Sequence, residues 1–220
     1  MLQKIRNNFN DPSLLELALT HRSWVNEHAG ESGTNERLEF LGDAVLEFVV
    51  SDHIYREFSD KEEGFLTALR ANIVNTKNLA TLAERLEVGQ DLKLSKGEEQ
   101  GGGRNNASLL ADLVEAIIGA IFLDQGFAEA EKFIKENLLH DLDVKLAQPL
   151  KDAKSRLQEA VQAKGLSAPK YKVVAEAGPD HDKEFTIEVS VEGKVLGEGK
   201  GKSKSAAEQE AAEAGLVNYS

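Results

Sequence analysis

The most constraining feature of the sequence is NERLEFLGDAVLEFVV, residues 35–50, a helical pattern that carries acids among apolar residues. Glu36, Glu39 and Asp43 lie at i, i+3 and i+7, so all three fall within roughly 60° of the helix circumference. Apolar side chains occupy most of the remaining circumference. Like charges at this spacing repel one another, and burial increases the repulsion. Such a helix therefore needs something that compensates its charge.

A second apolar helix with an acidic strip is predicted in LLADLVEAIIGAIFL, residues 109–123. Asp112 and Glu115 lie at i and i+3 on one of its faces. If the two strips face each other, four carboxylates converge. They are Glu39, Asp43, Asp112 and Glu115.

Several carboxylates cannot remain ionised together in a low dielectric without a counter-charge. The first acidic helix offers only Arg37, at a position that points away from the strip, and residues 107–125 contain no Lys or Arg. The negative charge can then be removed by protonation, or compensated by a basic side chain from elsewhere or by a bound cation. The simpler alternative is that both strips are solvated faces of amphipathic helices.

The composition of the chain favours a hard divalent cation. There is no cysteine, and carboxylate oxygens without thiolates are typical of Mg²⁺ or Mn²⁺ sites. A ferritin-like di-iron centre requires Glu-x-x-His pairs, and none of the five histidines has a Glu three residues before it. We therefore expect Mg²⁺, with Mn²⁺ as a possible substitute, and no small-molecule cofactor.

Hydrophobic content of 41% and charged content of 29% are ordinary for a globular protein. The amino-terminal segment lacks the continuous apolar core of a signal peptide. The longest apolar run is too short to cross a bilayer and contains two acids. Together with the absence of cysteine, these features predict a cytoplasmic protein without a membrane partner.

The net charge of −12 argues against a nucleic-acid partner, but its distribution is uneven. Residues 1–151 hold 16 basic and 26 acidic side chains, whereas residues 152–220 hold 10 and 12. Contact with nucleic acid depends on the local patch rather than on net charge. A nucleic-acid partner is therefore not excluded.

Periodicity divides the chain into an all-α first domain and a small α+β second domain. Helical patterns recur up to about residue 138, and SKGEEQGGGRNN, residues 95–106, is expected to be a mobile loop. Beyond a linker, one helix, three strands and a closing helix give the order α-β-β-β-α. The predicted boundaries are 1–140 for the helical domain, 141–151 for the linker and 152–220 for the second domain.

These segments resemble the bacterial ribonuclease III family along nearly the whole chain. NERLEFLGDAV at 35–45 resembles its signature motif, and ALTHRS at 18–23 and EEGFLTALRA at 62–71 resemble its flanking blocks. LLADLVEAIIGAIFLDQG is similar to its second acidic motif. RLQE, GPDH and GKGKSKSAAEQ, beginning at residues 156, 178 and 199, resemble a double-stranded-RNA-binding domain.

The resemblance implies an all-α endonuclease domain (a helical bundle) followed by an α-β-β-β-α double-stranded-RNA-binding domain. It implies metal-dependent cleavage of duplex RNA that leaves 5′-phosphate and 3′-hydroxyl ends with short 3′ overhangs, in the processing of ribosomal and other structured RNA precursors. Glu39, Asp43, Asp112 and Glu115 would be the catalytic metal ligands. The family is homodimeric, which implies that Phe40 plugs a socket on a partner subunit, and that Glu36 and Glu63 are auxiliary acids near the RNA.

In the second domain the resemblance assigns RNA contacts to two elements and one loop. The implied RNA-binding residues are Gln158, Glu159, His181, Lys200, Lys202 and Lys204. The family usually carries two adjacent basic residues in the last block, where this chain has Lys204 followed by Ser205. Loss of one phosphate contact weakens RNA binding. It also reduces the slope of log affinity against log salt concentration by about one unit.

Two other functions are compatible with parts of this pattern. A duplex-RNA-binding regulator that does not cleave would share the second domain but would not need the acids. A helical scaffold with a protein-binding domain would explain neither the acids nor the lysines. Because all four ligand positions hold Asp or Glu, the pattern favours the enzyme.

Overall fold

The computed structural model describes residues 2–28, 33–140, 142, 152–179 and 183–219. The chain forms two compact units, Met1–Gln148 and Pro149–Ser220. The first unit is built from helices, and the second holds the three-stranded sheet. The predicted linker therefore falls almost entirely outside the described residues. Within the described part of the chain, no helix is long and apolar enough to cross a membrane.

The first unit contains nine α-helices among the described residues, with 3₁₀ turns at Val88–Asp91 and Gly103–Asn105. They are α1 Leu2–Asn7, α2 Pro12–Ala18, α3 Arg22–Glu27, α4 Glu36–Glu57, α5 Glu63–Ile73, α6 Thr76–Leu86, α7 Lys96–Gln100, α8 Ala107–Gln125 and α9 Phe127–Ile134. A π-helical turn, Lys135–Leu139, extends α9. The all-α prediction for this part of the chain is confirmed.

Helix α8 is the centre of the first unit. It packs against α2, α4, α6 and α9, and its apolar residues from Leu110 to Ile121 are buried. Asn106 begins the helix as its N-cap, because its side chain accepts hydrogen bonds from the backbone N–H groups of Ser108 and Leu109. A helix surrounded in this way places any polar side chain it carries in contact with its neighbours.

Helices α4 and α8 approach each other backbone to backbone at two glycines. A Cβ atom added to Gly42 would lie 1.8 Å from the carbonyl oxygen of Glu115, and one added to Gly119 would lie 2.2 Å from that of Leu38. Neither position has room for a side chain. The two glycines therefore allow the acidic strips of the two helices to come close.

The glycine-rich segment 95–106 is not the loop that the sequence predicted. It contains α7 and a 3₁₀ turn at Gly103–Asn105. Arg104 anchors it, donating through Nη1 to the carbonyl oxygens of Gly89, Gln90 and Leu92 at 2.7–3.2 Å. The prediction counted glycines and could not include a long-range arginine contact of this kind.

The second unit has the predicted order of helix, three strands and helix. Its elements are α10 Ala153–Ala163, β1 Lys170–Ala177, β2 Glu184–Val191, β3 Lys194–Gly201 and α11 Lys204–Tyr219. The strands are antiparallel in the order β1-β2-β3. A tight turn through Glu192 and Gly193, both with positive φ, joins β2 to β3.

Alternate glycines on β3 let α11 lie directly on the sheet. A Cβ atom added to Gly199 would lie 2.1 Å from the backbone nitrogen of Ala211. Leu157, Val189 and Ala211 are among the fully buried residues of the core beneath. Asp152 caps α10 and accepts a hydrogen bond at 3.0 Å from Gln209, which ties α10 to α11. This unit therefore has a hydrophobic core of its own.

We expect Gly42→Ala to destabilise the first unit by about 3 kcal/mol or more, because the added methyl group meets backbone rather than a flexible side chain. Thermal or urea unfolding of the full chain measures the loss. Gly64→Ala is the matched control, since nothing lies within 4 Å of its added Cβ. It should be neutral or stabilise by roughly 0.5–1 kcal/mol. Equal stability of the two variants would contradict the close approach of α4 and α8 at Gly42.

Candidate metal centre and nucleic-acid interface

The structure brings three of the four predicted acids into one cluster. Carboxylate oxygens of Glu39 on α4, and of Asp112 and Glu115 on α8, all lie within 4.8 Å of one another. All three side chains are partly buried. The two acidic strips therefore face each other and are not independent solvated faces. Among the described residues this is the group whose spacing suits a metal ion.

Asp43, the fourth predicted acid, lies at the edge of this cluster. It is exposed and stands outside the group within 4.8 Å. Its negative charge nevertheless raises the pKa of Glu115, and also that of Glu39. Asp43 is therefore close enough to act on the cluster electrostatically.

Burial and mutual repulsion disfavour the ionised forms of these acids. Burial, followed by the charges of Asp43, Asp112 and Glu39, raises the pKa of Glu115 from 4.5 to about 8. Burial also raises the pKa of Asp112, and burial together with Asp112 and Glu36 raises the pKa of Glu39. The cluster thus has negative charge that its protein surroundings do not fully compensate.

Two basic side chains from another element lie near the acids, and the acidic helix patterns gave no sign of either. Arg22 Nη1 lies 3.3 Å from Glu36 Oε1 in an exposed ion pair. The charge of the neighbouring His21 lowers the pKa of Asp112, against the larger effect of burial. Both residues belong to the ALTHRS segment. Their position relative to the acids depends on tertiary contacts, so helix periodicity cannot predict it.

The two predicted auxiliary acids occupy different places. Glu36 is exposed at the start of α4 and accepts a hydrogen bond from Thr34 Oγ1 at 2.9 Å. Glu63 is exposed at the start of α5 and accepts one from Thr67 Oγ1 at 2.7 Å. Glu36 influences Glu39 electrostatically, whereas Glu63 lines a separate groove.

An exposed apolar surface runs along α4 beside the acids. Phe40 is 79% exposed, and Phe48 and Tyr55 are 60% and 71% exposed. Phe48 also makes an edge contact with Phe127 on α9, with 5.7 Å between ring centroids. A groove of about 310 Å³ between α4 and α5 is lined by Phe48, Tyr55, Leu66 and Arg70, among others.

The predicted RNA-binding side chains of the second unit lie on its surface where the structure describes them. Gln158 and Glu159 are exposed on α10. Lys200, Lys202 and Lys204 are exposed at the end of β3 and the start of α11. His181 lies outside the described residues.

The start of α11 is a capped helix terminus with a basic residue on it. Ser203 Oγ accepts a hydrogen bond from the backbone N–H of Ala206 at 3.2 Å, so Ser203 caps the helix. Lys204 Nζ lies 5.6 Å from the centroid of the Phe185 ring. Ser205 is exposed beside it. The partial positive charge of the helix terminus and the lysines thus combine on one surface.

Comparison with protein-family models agrees with the two units. A ribonuclease-III-like family model matches residues 11–142. A double-stranded RNA binding motif model matches residues 153–219. The first match contains all the acids of the cluster, and the second spans the whole α-β-β-β-α unit.

Known proteins show the same similarity over most of the chain. Ribonuclease 3 of Streptococcus pneumoniae is 46% identical over 205 residues, which cover 93% of this chain and 88% of that protein. Two structures of the nuclease domain of ribonuclease III from Campylobacter jejuni are 43% and 42% identical. They cover 61% and 62% of this chain, and 94% and 95% of those chains, with TM-scores of 0.56 and 0.55. With both modules present in this order, the chain belongs to the ribonuclease III family and is an endoribonuclease of that type.

Proposed function

We propose that this endoribonuclease cleaves double-stranded RNA with divalent metal ions held by Glu39, Asp43, Asp112 and Glu115. One observation carries the proposal. Three carboxylates from two helices converge within 4.8 Å, in surroundings that raise their pKa values. A cation between them relieves both the repulsion and the desolvation of their charges.

The residues present suit Mg²⁺ or Mn²⁺. Every donor in the cluster is a carboxylate oxygen, and hard divalent cations prefer oxygen ligands. Glu39, Asp112 and Glu115 would hold the ion, and the exposed Asp43 would complete the set from the side of the solvent. We prefer Mg²⁺ because it retains several waters when it is bound by a few carboxylates.

Phosphodiester hydrolysis needs a nucleophile near neutral pH and neutralisation of charge on the phosphate. Bound divalent ions activate water and stabilise the charge that develops on the phosphate oxygens. The residues of the chain contribute by holding the metal-binding carboxylates in position. Glu39, Asp112 and Glu115 lie on helices fixed against each other at Gly42 and Gly119, so the carboxylates are held before substrate arrives. The products carry 5′-phosphate and 3′-hydroxyl ends with short 3′ overhangs.

The second unit supplies duplex recognition. A-form RNA is recognised by its shape, its phosphates and its 2′-hydroxyls. We assign phosphate contacts to Lys200, Lys202 and Lys204 beside the N-terminus of α11, where the helix dipole also favours anions. Gln158 and Glu159 on α10 reach one minor groove, and His181 reaches the next. With Ser205 in place of a second adjacent basic residue, this surface makes one phosphate contact fewer.

The functional form is a homodimer. The exposed rings of Phe40, Phe48 and Tyr55 form an apolar surface on α4, and a surface of this kind is typical of an interface. In a two-fold dimer the same patch meets itself, so Phe40 of each copy enters the groove between α4 and α5 of the other. The related nuclease domain from Campylobacter jejuni has a structurally flexible region that is involved in dimer formation.

The remaining elements of the proposal concern organisation and cellular role. Residues 1–140 form the catalytic domain, 141–151 the linker and 152–220 the RNA-binding domain. The protein acts in the cytoplasm, which suits a chain without cysteine. Its substrates are ribosomal and other structured RNA precursors, including messenger RNA. The auxiliary acids Glu36 and Glu63 act near the path of the RNA.

Glu115→Gln should abolish cleavage of a long perfect RNA duplex while leaving duplex binding unchanged. The substitution removes a metal-ligand charge in the first unit and leaves the lysines of the second unit intact. Cleavage in Mg²⁺ should fall to the level that the unaltered protein shows in EDTA. Glu84→Gln, at an exposed position on α6, is the matched control and should cleave normally. Cleavage by Glu115→Gln at the normal rate would overturn the metal assignment.

The stability of the metal-free protein should fall as the pH rises between about 5 and 8. The folded chain raises the pKa of Glu115 from 4.5 to about 8. The unfolded chain therefore releases this proton at lower pH than the folded one, and stability decreases in that window. The raised pKa values of Glu39 and Asp112 act in the same direction.

Thermal unfolding in EDTA across this pH range measures the effect. Mg²⁺ or Mn²⁺ should raise the melting temperature more at pH 8 than at pH 5, because the ligands must be ionised to bind. Glu115→Gln should flatten the pH dependence in EDTA and reduce the gain on adding metal. An increase in melting temperature on adding metal that is the same at both pH values would contradict the proposed metal site.

Phe40→Ala should weaken the dimer by about 30-fold or more, as expected for a central aromatic anchor at an interface. Since Phe40 is 79% exposed in the single chain, the folded monomer should lose little stability. Sedimentation equilibrium over a range of concentrations measures the dimer constant. Val217→Ala in the second unit, at a side chain that is 75% exposed, should leave it unchanged. An unchanged dimer constant in Phe40→Ala would show that this surface is not the dimer interface.

A further inference from the structure

The end of β3 and the start of α11 carry three lysines close together in the chain. Lys200, Lys202 and Lys204 are all exposed there, and Lys202 and Ser203 connect the end of the strand to the start of the helix. β3 is an edge strand of the three-stranded sheet. The outer N–H groups of an edge strand have no partner within the sheet. The position of these lysines therefore depends on what fixes the end of β3.

A side chain of α11 bonds this end of the strand. The backbone N–H of Lys200 donates to Glu210 Oε2 at 2.6 Å, a short hydrogen bond of the charge-assisted kind. The next residue of the strand lies directly on the helix, since a Cβ atom added to Gly201 would lie 2.6 Å from the backbone nitrogen of Ala207. Lys200 and Glu210 are both exposed. Glu210 therefore joins the lysine-bearing end of β3 to α11 from outside the core.

The two residues before Glu210 on α11 hold α10 in a similar way. Glu208 Oε2 pairs with Lys154 Nζ at 2.5 Å. Gln209 Oε1 accepts a hydrogen bond from the backbone N–H of Lys154 at 3.3 Å, and Gln209 Nε2 donates to Asp152 Oδ1 at 3.0 Å. Lys154 lies in the first turn of α10, the helix to which we assign the minor-groove contacts. Three consecutive side chains of α11 thus connect this helix to α10 and to the end of β3.

The charge of Glu210 has the wrong sign for a surface that binds phosphates. A carboxylate near phosphates repels them, so repulsion alone predicts that Glu210 weakens RNA binding. The hydrogen bond predicts the opposite, because a strand end that is ordered in advance loses less conformational entropy when RNA binds. The two effects differ in sign and can therefore be measured separately.

We propose that Glu210 is a positioning residue for RNA binding: by accepting the N–H of Lys200, its carboxylate holds the end of β3 on α11 and keeps Lys200 and Lys202 beside Lys204 in one phosphate-binding surface. The inference rests on the proposed phosphate contacts of these three lysines. Duplex RNA is recognised largely by its shape, across grooves of fixed spacing, so contacts on separate elements must keep a fixed distance. Glu210 acts on this distance and does not itself contact the RNA.

Two substitutions of Glu210 separate the hydrogen bond from the charge. Glu210→Gln removes the charge and keeps a side-chain oxygen that can accept from the N–H of Lys200. Glu210→Ala removes both. Glu198→Ala is the matched control for charge, because Glu198 is exposed on β3 two residues before Lys200 and lies on the same face of the strand.

The test is the affinity of the full-length protein for a perfect RNA duplex, measured by fluorescence anisotropy in EDTA over a series of salt concentrations. We expect Glu210→Ala to bind about 10-fold more weakly, the effect of losing one charge-assisted contact. Its slope of log affinity against log salt concentration should fall by about one unit. Glu210→Gln should bind at least as tightly as the unaltered protein, with an unchanged slope, and Glu198→Ala should not weaken binding. Circular dichroism melting checks that each variant is folded at the temperature of the binding assay.

Equal affinities of Glu210→Ala and Glu210→Gln would overturn the inference, as would tighter binding by both, which repulsion alone predicts. A 10-fold loss in Glu198→Ala would overturn it as well, because the effect would then not depend on the hydrogen bond. A Glu210→Ala protein whose second unit is unfolded at the assay temperature would show a structural role and overturn the positioning role.

Lys200→Gln measured alongside separates this inference from the proposed function. If Lys200→Gln binds the duplex with normal affinity and slope, the assigned phosphate contacts are wrong. If Lys200→Gln is weakened and Glu210→Ala is not, those contacts stand and the role of Glu210 falls.

Discussion

The acid cluster depends on the close approach of α4 and α8 at Gly42 and Gly119. Each glycine faces backbone atoms of the opposite helix, at distances that leave no room for even a methyl group. Glu39 lies one turn before Gly42, and Glu115 one turn before Gly119, so the crossing point and the acids are separated by a single turn on each helix. A wider crossing would move the carboxylates apart. The glycines thus determine the distance between the acids, although they have no side chain that could bind a ligand.

The same close packing disfavours the ionised forms of the clustered acids. Apolar residues of α8 surround Asp112 and Glu115 and exclude much of the water that would solvate them. Burial is accordingly the first cause of the raised pKa values of all three clustered acids. His21 and Arg22 offset part of the negative charge from one edge. The remaining charge makes the cluster unfavourable at neutral pH, and under the proposed function a divalent cation would relieve it.

The two units use charge in opposite ways. The helical unit concentrates negative charge between two helices, an arrangement that suits cations of high charge density. The second unit is nearly balanced in charge, and its lysines lie at the start of α11, where backbone N–H groups also face outward. Polyanion binding depends on such local patches, and the charge of the whole chain has little influence at contact distance. An acidic protein can for this reason bind an acidic polymer.

The sequence by itself determined the two fold classes, the order of elements in the second unit, the spacing of the acids along each helix and the family of the chain. These properties are local, because the periods of 3.6 and 2 residues are set by backbone geometry. The tertiary structure decided which side chains meet. It placed Glu39 with Asp112 and Glu115, left Asp43 at the edge, exposed Phe40 and anchored the glycine-rich segment through Arg104. It also paired Arg22 with Glu36, which begins a different helix. Such encounters depend on how closely whole helices pack, and that distance is set by contacts between residues far apart in sequence.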